Sequence, residues 1–177
     1  QGHEAKIKSI TGLPVAPLFS ASKMRWLLES VPNGMALAQQ GEICLGTIDS
    51  WLLWNLTGGA AFRCDASNAS RTQLLNLHSG QWDSEMLALF GIPQQALPEV
   101  CPSSHHFGVT KGLATIPDGI PILAMIGDSH AALFAQQNRP QRRPVAGGGQ
   151  RPRVAVGQDS VPVLHEGQAE LGDSAAH

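Results

Sequence analysis

Charge is scarce in this 177-residue chain: 15% of its residues are Asp, Glu, Lys or Arg, where globular proteins carry about 25%. Twelve Lys+Arg stand against 14 Asp+Glu, a net charge of −2. That balance provides neither a basic stripe for nucleic acid nor an acidic solvating block. No apolar run approaches the roughly 18 residues of a membrane span. The three cysteines, Cys44, Cys64 and Cys101, are too few and too scattered for a disulfide framework. Their odd number, without a C-x-x-C pair, also argues against zinc. They read as buried, reduced thiols of a cytoplasmic protein. Gln1-Gly2-His3-Glu4 has no charged start leading into an apolar core, so it does not read as a signal peptide. It also lacks an initiator Met, which points to a fragment.

Aromatics are few as well, at 5%, and all four Trp and all five Phe precede residue 138. From Asn138 to His177 there is no Ile, Met, Phe, Trp or Cys, yet the stretch holds five of the eight Arg, six Gly and four Pro. So little apolar surface does not offset the entropy of ordering the backbone. Residues 138–177 are therefore expected to be a disordered tail of foreign composition. Its Gly147-Gly148-Gly149 run lacks the G-x-x-x-x-G-K-[ST] spacing of a phosphate loop.

Residues 1–137 read as a mixed α/β chain. Met24, Leu27 and Leu28 recur at helical spacing within Ser20–Ser30, and Pro32-Asn33-Gly34 stops that helix. A second helix is predicted over Ile48–Leu56, ended by Thr57-Gly58-Gly59, with Trp51 and Trp54 in the core. Ala60–Cys64 and Thr72–Leu77 read as strands around a polar turn. A short helix follows at 83–90, with Asp83 or Ser84 as its cap and Gly91-Ile92-Pro93 as its end. Phe107–Thr110 reads as an edge strand.

Ile120–Ile126 is a continuous apolar run, which predicts a strand buried on both faces. Gly127-Asp128-Ser129 and an alanine-rich helix over 130–137 follow it. This order sets a carboxylate at the carboxyl end of a buried strand, the edge at which open α/β folds bind ligands. Asp128 or Ser129 could equally serve as the N-cap of the helix. Lys23 reads as a snorkelling surface residue, Asp49 as a cap or brace for the Trp51 helix, and Asp65, Asn68 and Arg71 as ties of the loop after a strand. His105 and His106 are adjacent on a strand and face opposite ways, which disfavours a shared metal.

Several segments taken together resemble the FGGY family of carbohydrate kinases, most of all its glycerol-kinase-like members. Ser20-Ala21-Ser22-Lys23-Met24-Arg25-Trp26 resembles the family's Ser-x-x-Lys-x-x-Trp helix. Gly46-Thr47-Ile48-Asp49-Ser50-Trp51-Leu52 is similar to its Gly-Thr-x-Asp-[ST]-Trp-Leu segment. Asp65-Ala66-Ser67-Asn68-Ala69-Ser70-Arg71-Thr72 is similar to its Asp-x-[ST]-Asn-Ala-Ser-Arg-Thr run. Trp82-Asp83, Gly91-Ile92-Pro93 and Leu97-Pro98-Glu99-Val100 continue in register, and Gly127-Asp128-Ser129-His130-Ala131-Ala132-Leu133 resembles its catalytic Gly-Asp-x-x-Ala-Ala-Leu segment.

The resemblance implies an actin-like, ribonuclease-H-like α/β kinase fold, here incomplete. Residues 1–119 would be the later part of the N-terminal domain, and 120–137 the strand-Asp-helix segment at the domain junction. It implies transfer of the ATP γ-phosphate, with Mg2+, to a hydroxyl of glycerol or a related polyol or sugar. Asp128 falls on the family's general base, and negative charge is favoured at a helix N-terminus. Asp128, Ser129 and Leu18 are the implied substrate contacts. Leu18 stands where glycerol kinases have Tyr, and Ser129 where they have Gln, so the preferred substrate should shift.

The family's acidic phosphate loop, its substrate-binding Arg-Glu pair and its Gly-Thr-Gly adenosine loop are not found in the chain. Nucleotide- and metal-binding residues therefore stay unassigned, and the fragment is expected to be inactive alone. The implied setting is cytoplasmic, without nucleic-acid or membrane partners, and with homo-oligomerisation of the full-length protein left open. The alternative is a non-catalytic α/β interaction module that keeps the kinase scaffold.

Overall fold

Helix α2 (Ser20–Ser30) has the bounds that its periodicity predicts, and it buries Ala21, Met24 and Leu28 at i, i+3 and i+7. The structure, a computed structural model, describes residues 2–137, all within one compact unit. The expected tail at 138–177, with its Gly147–Gly149 run, lies outside the described residues. Before α2 comes a helix that the sequence pattern missed, α1 (Glu4–Thr11), closed by Gly12. After it comes α3 (Gly34–Gln39), also missed. Its first residue sits so close to the end of α2 that a Cβ there would lie 2.3 Å from the Leu28 carbonyl oxygen.

Helix α4 (Ile48–Leu56) also keeps its expected bounds, but its aromatic residues face the wrong way for the core assignment. Ser50 and Leu53 are buried, whereas Trp51 is 62% exposed and Trp54 is exposed too. The helix carries apolar residues nearly all round, so periodicity had no polar face from which to choose an orientation.

The two strands expected around a polar turn do not pair with each other. Arg63–Asp65 forms β1 and Leu75–Asn76 forms β2, and the segment between them folds as the short helix α5 (Ala66–Ala69). Strand β2 pairs antiparallel with β3 (Gln81–Trp82), and β1 pairs parallel with β4 (Glu99–Cys101). The reason is Asp65, whose side chain accepts from the amides of Ser67 and Asn68 and so starts a helix where a hairpin would need a turn. Arg63 ties the parallel pair to the next strand, donating from Nε to Glu99 Oε2 at 2.9 Å and from Nη1 to the Phe107 carbonyl at 3.0 Å.

The β1–β4 ladder has apolar residues on both faces. Cys64 and Val100 pack with Ala69 and Leu75, while Cys101 packs with Leu53, Ala61 and Phe107. Cys64 and Cys101 are therefore buried free thiols on opposite faces, and burial pushes both thiols up. Cys44 departs from the expectation and is exposed, since it lies in the open segment before Leu45.

Strand β5 (Ser104–Val109) is longer than the Phe107–Thr110 expected of it and pairs antiparallel with β6 (Pro121–Ala124). The apolar run at 120–126 thus gives a strand, but not one buried on both faces. Ile122 and Met125 pack beside Phe107, whereas Pro121, Leu123 and Ala124 are exposed. Among the described residues β6 has a partner on one edge only. Hydrophobicity states what a strand can bury, and the neighbours decide how much is buried. Helix α7 (Asp128–Gln137) begins two residues earlier than predicted.

Helix α6 (Ser84–Phe90) follows its sequence signals closely. Gly91 ends it at φ 64°, and a Cβ there would meet the Arg25 guanidinium at 2.2 Å. Asp83 is the N-cap: Oδ1 accepts from the Glu85 and Met86 amides at 3.0 Å each, and Oδ2 accepts from Asn76 Nδ2 at 2.9 Å. Partial burial acts to raise this carboxyl. The Asn76 bond, the Met86 and Glu85 amides and the Lys6 charge outweigh it and hold the group below the ordinary carboxylate range.

Two outcomes follow from this packing. Asp83→Ala should cost about 1 kcal/mol near neutral pH. A depressed folded-state value gives stability that is present above the unfolded value of about 3.9 and lost as pH falls through the folded one. The difference between wild type and variant in urea unfolding should therefore shrink on acidification, and a difference independent of pH would refute this account. Phe107→Ala, at a fully buried side chain, should lower stability by about 3–5 kcal/mol in the same measurement.

Candidate active site

The turn between β6 and α7 is held at both groups of one residue. The Gly127 carbonyl accepts from the Ala131 amide at 2.8 Å, which opens α7, and the Gly127 N–H donates to Ser67 Oγ at 2.8 Å. Asp128 is the first residue of α7 and is exposed. Its Oδ1 accepts from the Ser129 amide at 2.6 Å and from Ser129 Oγ at 3.2 Å. Oδ2 has no hydrogen-bond donor among the described residues.

The structure thus brings Asp128 and Ser129 together and revises their expected capping roles. Both lie inside the helix, with Gly127 before them. Asp128 takes one of the orphan amides of the first turn, and Ser129 serves it as a donor. What remains is a carboxylate with one oxygen occupied and one open, on a backbone fixed by its neighbours. Such a group can accept a hydrogen bond, and then a proton, from an incoming hydroxyl.

Behind the turn lies a second aspartate in the opposite environment. Asp65 is completely buried, and five donors meet its two oxygens. Oδ1 accepts from the Asn68 amide at 3.1 Å and from Asn68 Nδ2 at 2.5 Å. Oδ2 accepts from the Ser67 amide at 3.0 Å, from Ser67 Oγ at 2.5 Å and from Ser103 Oγ at 2.8 Å. The expected tie of the loop by Asp65 and Asn68 is present. Asp49 braces in its turn, accepting from Thr47 Oγ1 and, at 3.3 Å, from the Asp65 amide.

The other candidates lie on separate segments. Leu18 is 74% exposed just before α2, and its carbonyl accepts from Lys23 Nζ at 2.9 Å. Arg71 stacks its guanidinium over the Phe19 ring at 5.2 Å from the centroid, a packing role in place of the expected side-chain-to-backbone tie. His105 packs edge-on to Phe107 at 5.4 Å, while His106 is exposed. An open depression of about 610 Å3 is lined by Arg25, Met35, Leu87, Gly91 and Ile92, among others. It shares no residue with the Asp128 turn. No helix among the described residues is long and apolar enough to cross a membrane.

Sequence reasoning missed Ser67 and Ser103. Ser67 reaches Gly127 across 60 positions and Ser103 reaches Asp65 across 38. A serine two places after a capping Asp is ordinary turn chemistry, so no local pattern singles out either residue.

Residues 1–135 match the N-terminal domain of the FGGY family of carbohydrate kinases. Over 133 residues the chain is 53% identical to a glycerol kinase of Bdellovibrio bacteriovorus, covering 75% of this chain and 27% of that protein. It is 56% identical, also over 133 residues, to an apulose kinase of Pectobacterium atrosepticum, covering 73% and 27%. The fold superposes on a crystal structure of Plasmodium falciparum glycerol kinase with ADP at a TM-score of 0.71 and 34% identity, over 76% of this chain and 27% of that one. A xylulose kinase from Rhodospirillum rubrum shares the fold at a TM-score of 0.63 and 23% identity, over 75% and 27%. The chain thus spans about a quarter of the length of these relatives, whose fold is actin-like. With the strand-Asp-helix turn, the buried Asp65 corner and a family match over most of its length, the chain belongs to the FGGY family of carbohydrate kinases.

Proposed function

We propose that this chain is part of an ATP-dependent kinase that phosphorylates a hydroxyl of glycerol or a related polyol or sugar, with Asp128 as general base. The observation that carries the reading is the open Oδ2 of an exposed carboxylate on a turn fixed at both Gly127 groups. The substrate hydroxyl hydrogen-bonds to Asp128. Its oxygen then bonds to the γ-phosphorus as the bridge to the β-phosphate breaks, ADP departs, and the proton passes to Asp128. Magnesium bound with the nucleotide would neutralise charge on the phosphates.

Among the described residues no group of three or more His, Cys, Asp or Glu is placed to hold a metal. Asp65 and Asp49 are engaged with internal donors, which leaves Asp128 as the open carboxylate at the turn. Its open oxygen is taken by the substrate hydroxyl in this reading, so the described residues assign no magnesium ligand and the ion would be held chiefly through the nucleotide phosphates. In this reading residues 1–119 are the later part of the first kinase domain, and 120–137 are the segment at the domain junction. The protein acts in the cytoplasm, and the chain alone is inactive, because the phosphate and adenosine loops belong to other parts of such an enzyme.

Leu18 and Ser129 set selectivity in this reading. An exposed leucine gives no hydrogen bond, and the short Ser129 hydroxyl already donates to Asp128. A pocket without those bonds discriminates hydroxyl patterns less strictly than one that makes them.

The test grafts residues 11–137 into the matching region of the Bdellovibrio bacteriovorus glycerol kinase and assays glycerol, apulose and xylulose with magnesium ATP. The chimera should transfer phosphate, and Asp128→Asn should lower kcat by about 10²–10⁴-fold with little change in the KM for ATP. An Asp128→Asn chimera as fast as its parent would remove the base assignment. Restoring the hydrogen-bonding side chains, with Leu18→Tyr and Ser129→Gln together, should improve kcat/KM for glycerol over the other two by at least about tenfold. An unchanged ratio would show that these positions do not select the substrate.

A further inference from the structure

The β6–α7 turn is tied to one buried carboxylate by two routes. In the first, Ser67 Oγ donates to Asp65 Oδ2 at 2.5 Å and accepts from the Gly127 amide at 2.8 Å. In the second, Ser103 Oγ donates to the same Asp65 oxygen at 2.8 Å, and the Ser103 carbonyl accepts from the Met125 amide at 3.0 Å. Met125 and Gly127 are the alternate residues leading to Asp128. Both of their amides thus end on serines whose hydroxyls are fixed by a group with no solvent exposure.

We propose that Ser67 is a positioning residue for Asp128: its hydroxyl, oriented by the buried Asp65 carboxylate, holds the Gly127 amide and so sets where the Asp128 side chain leaves the turn. The proposal rests on the reading of Asp128 as the base, and Ser67 itself touches no reacting atom. Three features carry it. The Ser67 hydroxyl has one proton, and Asp65 takes it, so the oxygen can only accept from Gly127. The Gly127 carbonyl is engaged by Ala131, so the tether fixes the remaining polar group of the residue preceding the base. A general base must sit within hydrogen-bond reach of the hydroxyl it serves, and small displacements are costly there.

Asp65 keeps four of its five donors if the Ser67 hydroxyl is lost, so the corner itself should survive the substitution. The Ser103 route holds Met125 independently of Ser67. It therefore supplies an internal reference for whether a change at Ser67 acts on the turn alone.

The experiment uses the full 177-residue chain and follows amide hydrogen exchange residue by residue with NMR. In Ser67→Ala the Gly127 amide should exchange at least about tenfold faster, while the Met125 amide and the core amides of Leu28, Leu53 and Met86 stay as in wild type. Ser67→Thr, which keeps a hydroxyl at the same carbon, should restore slow exchange. Ser103→Ala keeps the backbone carbonyl that holds Met125, so both the Met125 and the Gly127 amides should stay protected. Unchanged Gly127 exchange in Ser67→Ala would overturn the proposal. So would a uniform rise across the core, which marks a general loss of stability.

Turnover is read in the kinase chimera described above. Ser67→Ala should lower kcat by about tenfold or more with the KM for ATP unchanged, and Ser67→Thr should recover it. Released Gly127 with unaltered kcat would show a tether without a role in transfer, and would also overturn the proposal. Should Asp128→Asn leave turnover intact, the base reading fails and the positioning role with it. The exchange data alone would then report that the tether exists.

Discussion

A buried carboxylate imposes stricter demands than any other group in this chain. Removing an ion from water costs several kcal/mol unless its oxygens meet donors in good geometry. Asp65 has no exposed surface, and its two oxygens receive five donors from Ser67, Asn68 and Ser103. Satisfying it ends strand β1, starts helix α5 and brings in the connection between β4 and β5. The same group reaches the β6–α7 turn through the two serines. A polar contact that would be a minor ornament on the surface becomes, in a dry setting, the point from which the surrounding backbone is placed.

The parallel β1–β4 pair supplies the rigid frame for that corner. With apolar clusters on both of its faces, neither strand can shift register without exposing Cys64 and Val100 on one side or Cys101 on the other. Phe107 carries the second cluster across to β5, and Ile122 and Met125 lay β6 against it. Thr57, at the end of α4, closes the gap by donating from Oγ1 to the Leu53 carbonyl and accepting from the Ala61 amide. The turn bearing Asp128 is therefore supported from below by apolar packing and from the side by hydrogen bonds. Sites held on regular elements in this way keep their geometry better than sites on free loops.

How much of this could be read from the sequence depended on whether the deciding signal was local. Helices α2, α4 and α6 were legible with their limits, because Pro32-Asn33-Gly34, Thr57-Gly58-Gly59 and the Asp83…Gly91 pair act within a turn of the chain. Strands of two or three residues have too little length for periodicity, and their partners lie far away in sequence, so the β1–β4 and β2–β3 pairings were not legible. The outward faces of Trp51, Trp54 and β6 were missed because an apolar side chain reports what it could bury and is silent on whether anything covers it. Asp128 was singled out by its Gly-Asp segment after an apolar run, and the structure opens α7 with it, past the end of β6. Ser67 and Ser103 were not singled out, since their contacts cross 60 and 38 positions.

Asp65 and Asp128 show why the two kinds of signal separate. Asp65 ends a strand at the start of one helix and Asp128 opens another helix shortly after a strand, so local pattern treats them much alike. Burial distinguishes them. The first is saturated by donors and can take no further partner, which suits a fixed structural anchor. The second has one oxygen committed to Ser129 and one open to solvent, which suits a group that must exchange a hydrogen bond with something that arrives and leaves. A carboxylate used for proton transfer needs both a firm backbone and an unsaturated oxygen, and the firmness at Asp128 comes from bonds that other residues make to the turn. In the proposed reading the buried Asp65 orients Ser67, Ser67 holds the Gly127 amide, and Asp128 keeps one oxygen open for an arriving hydroxyl.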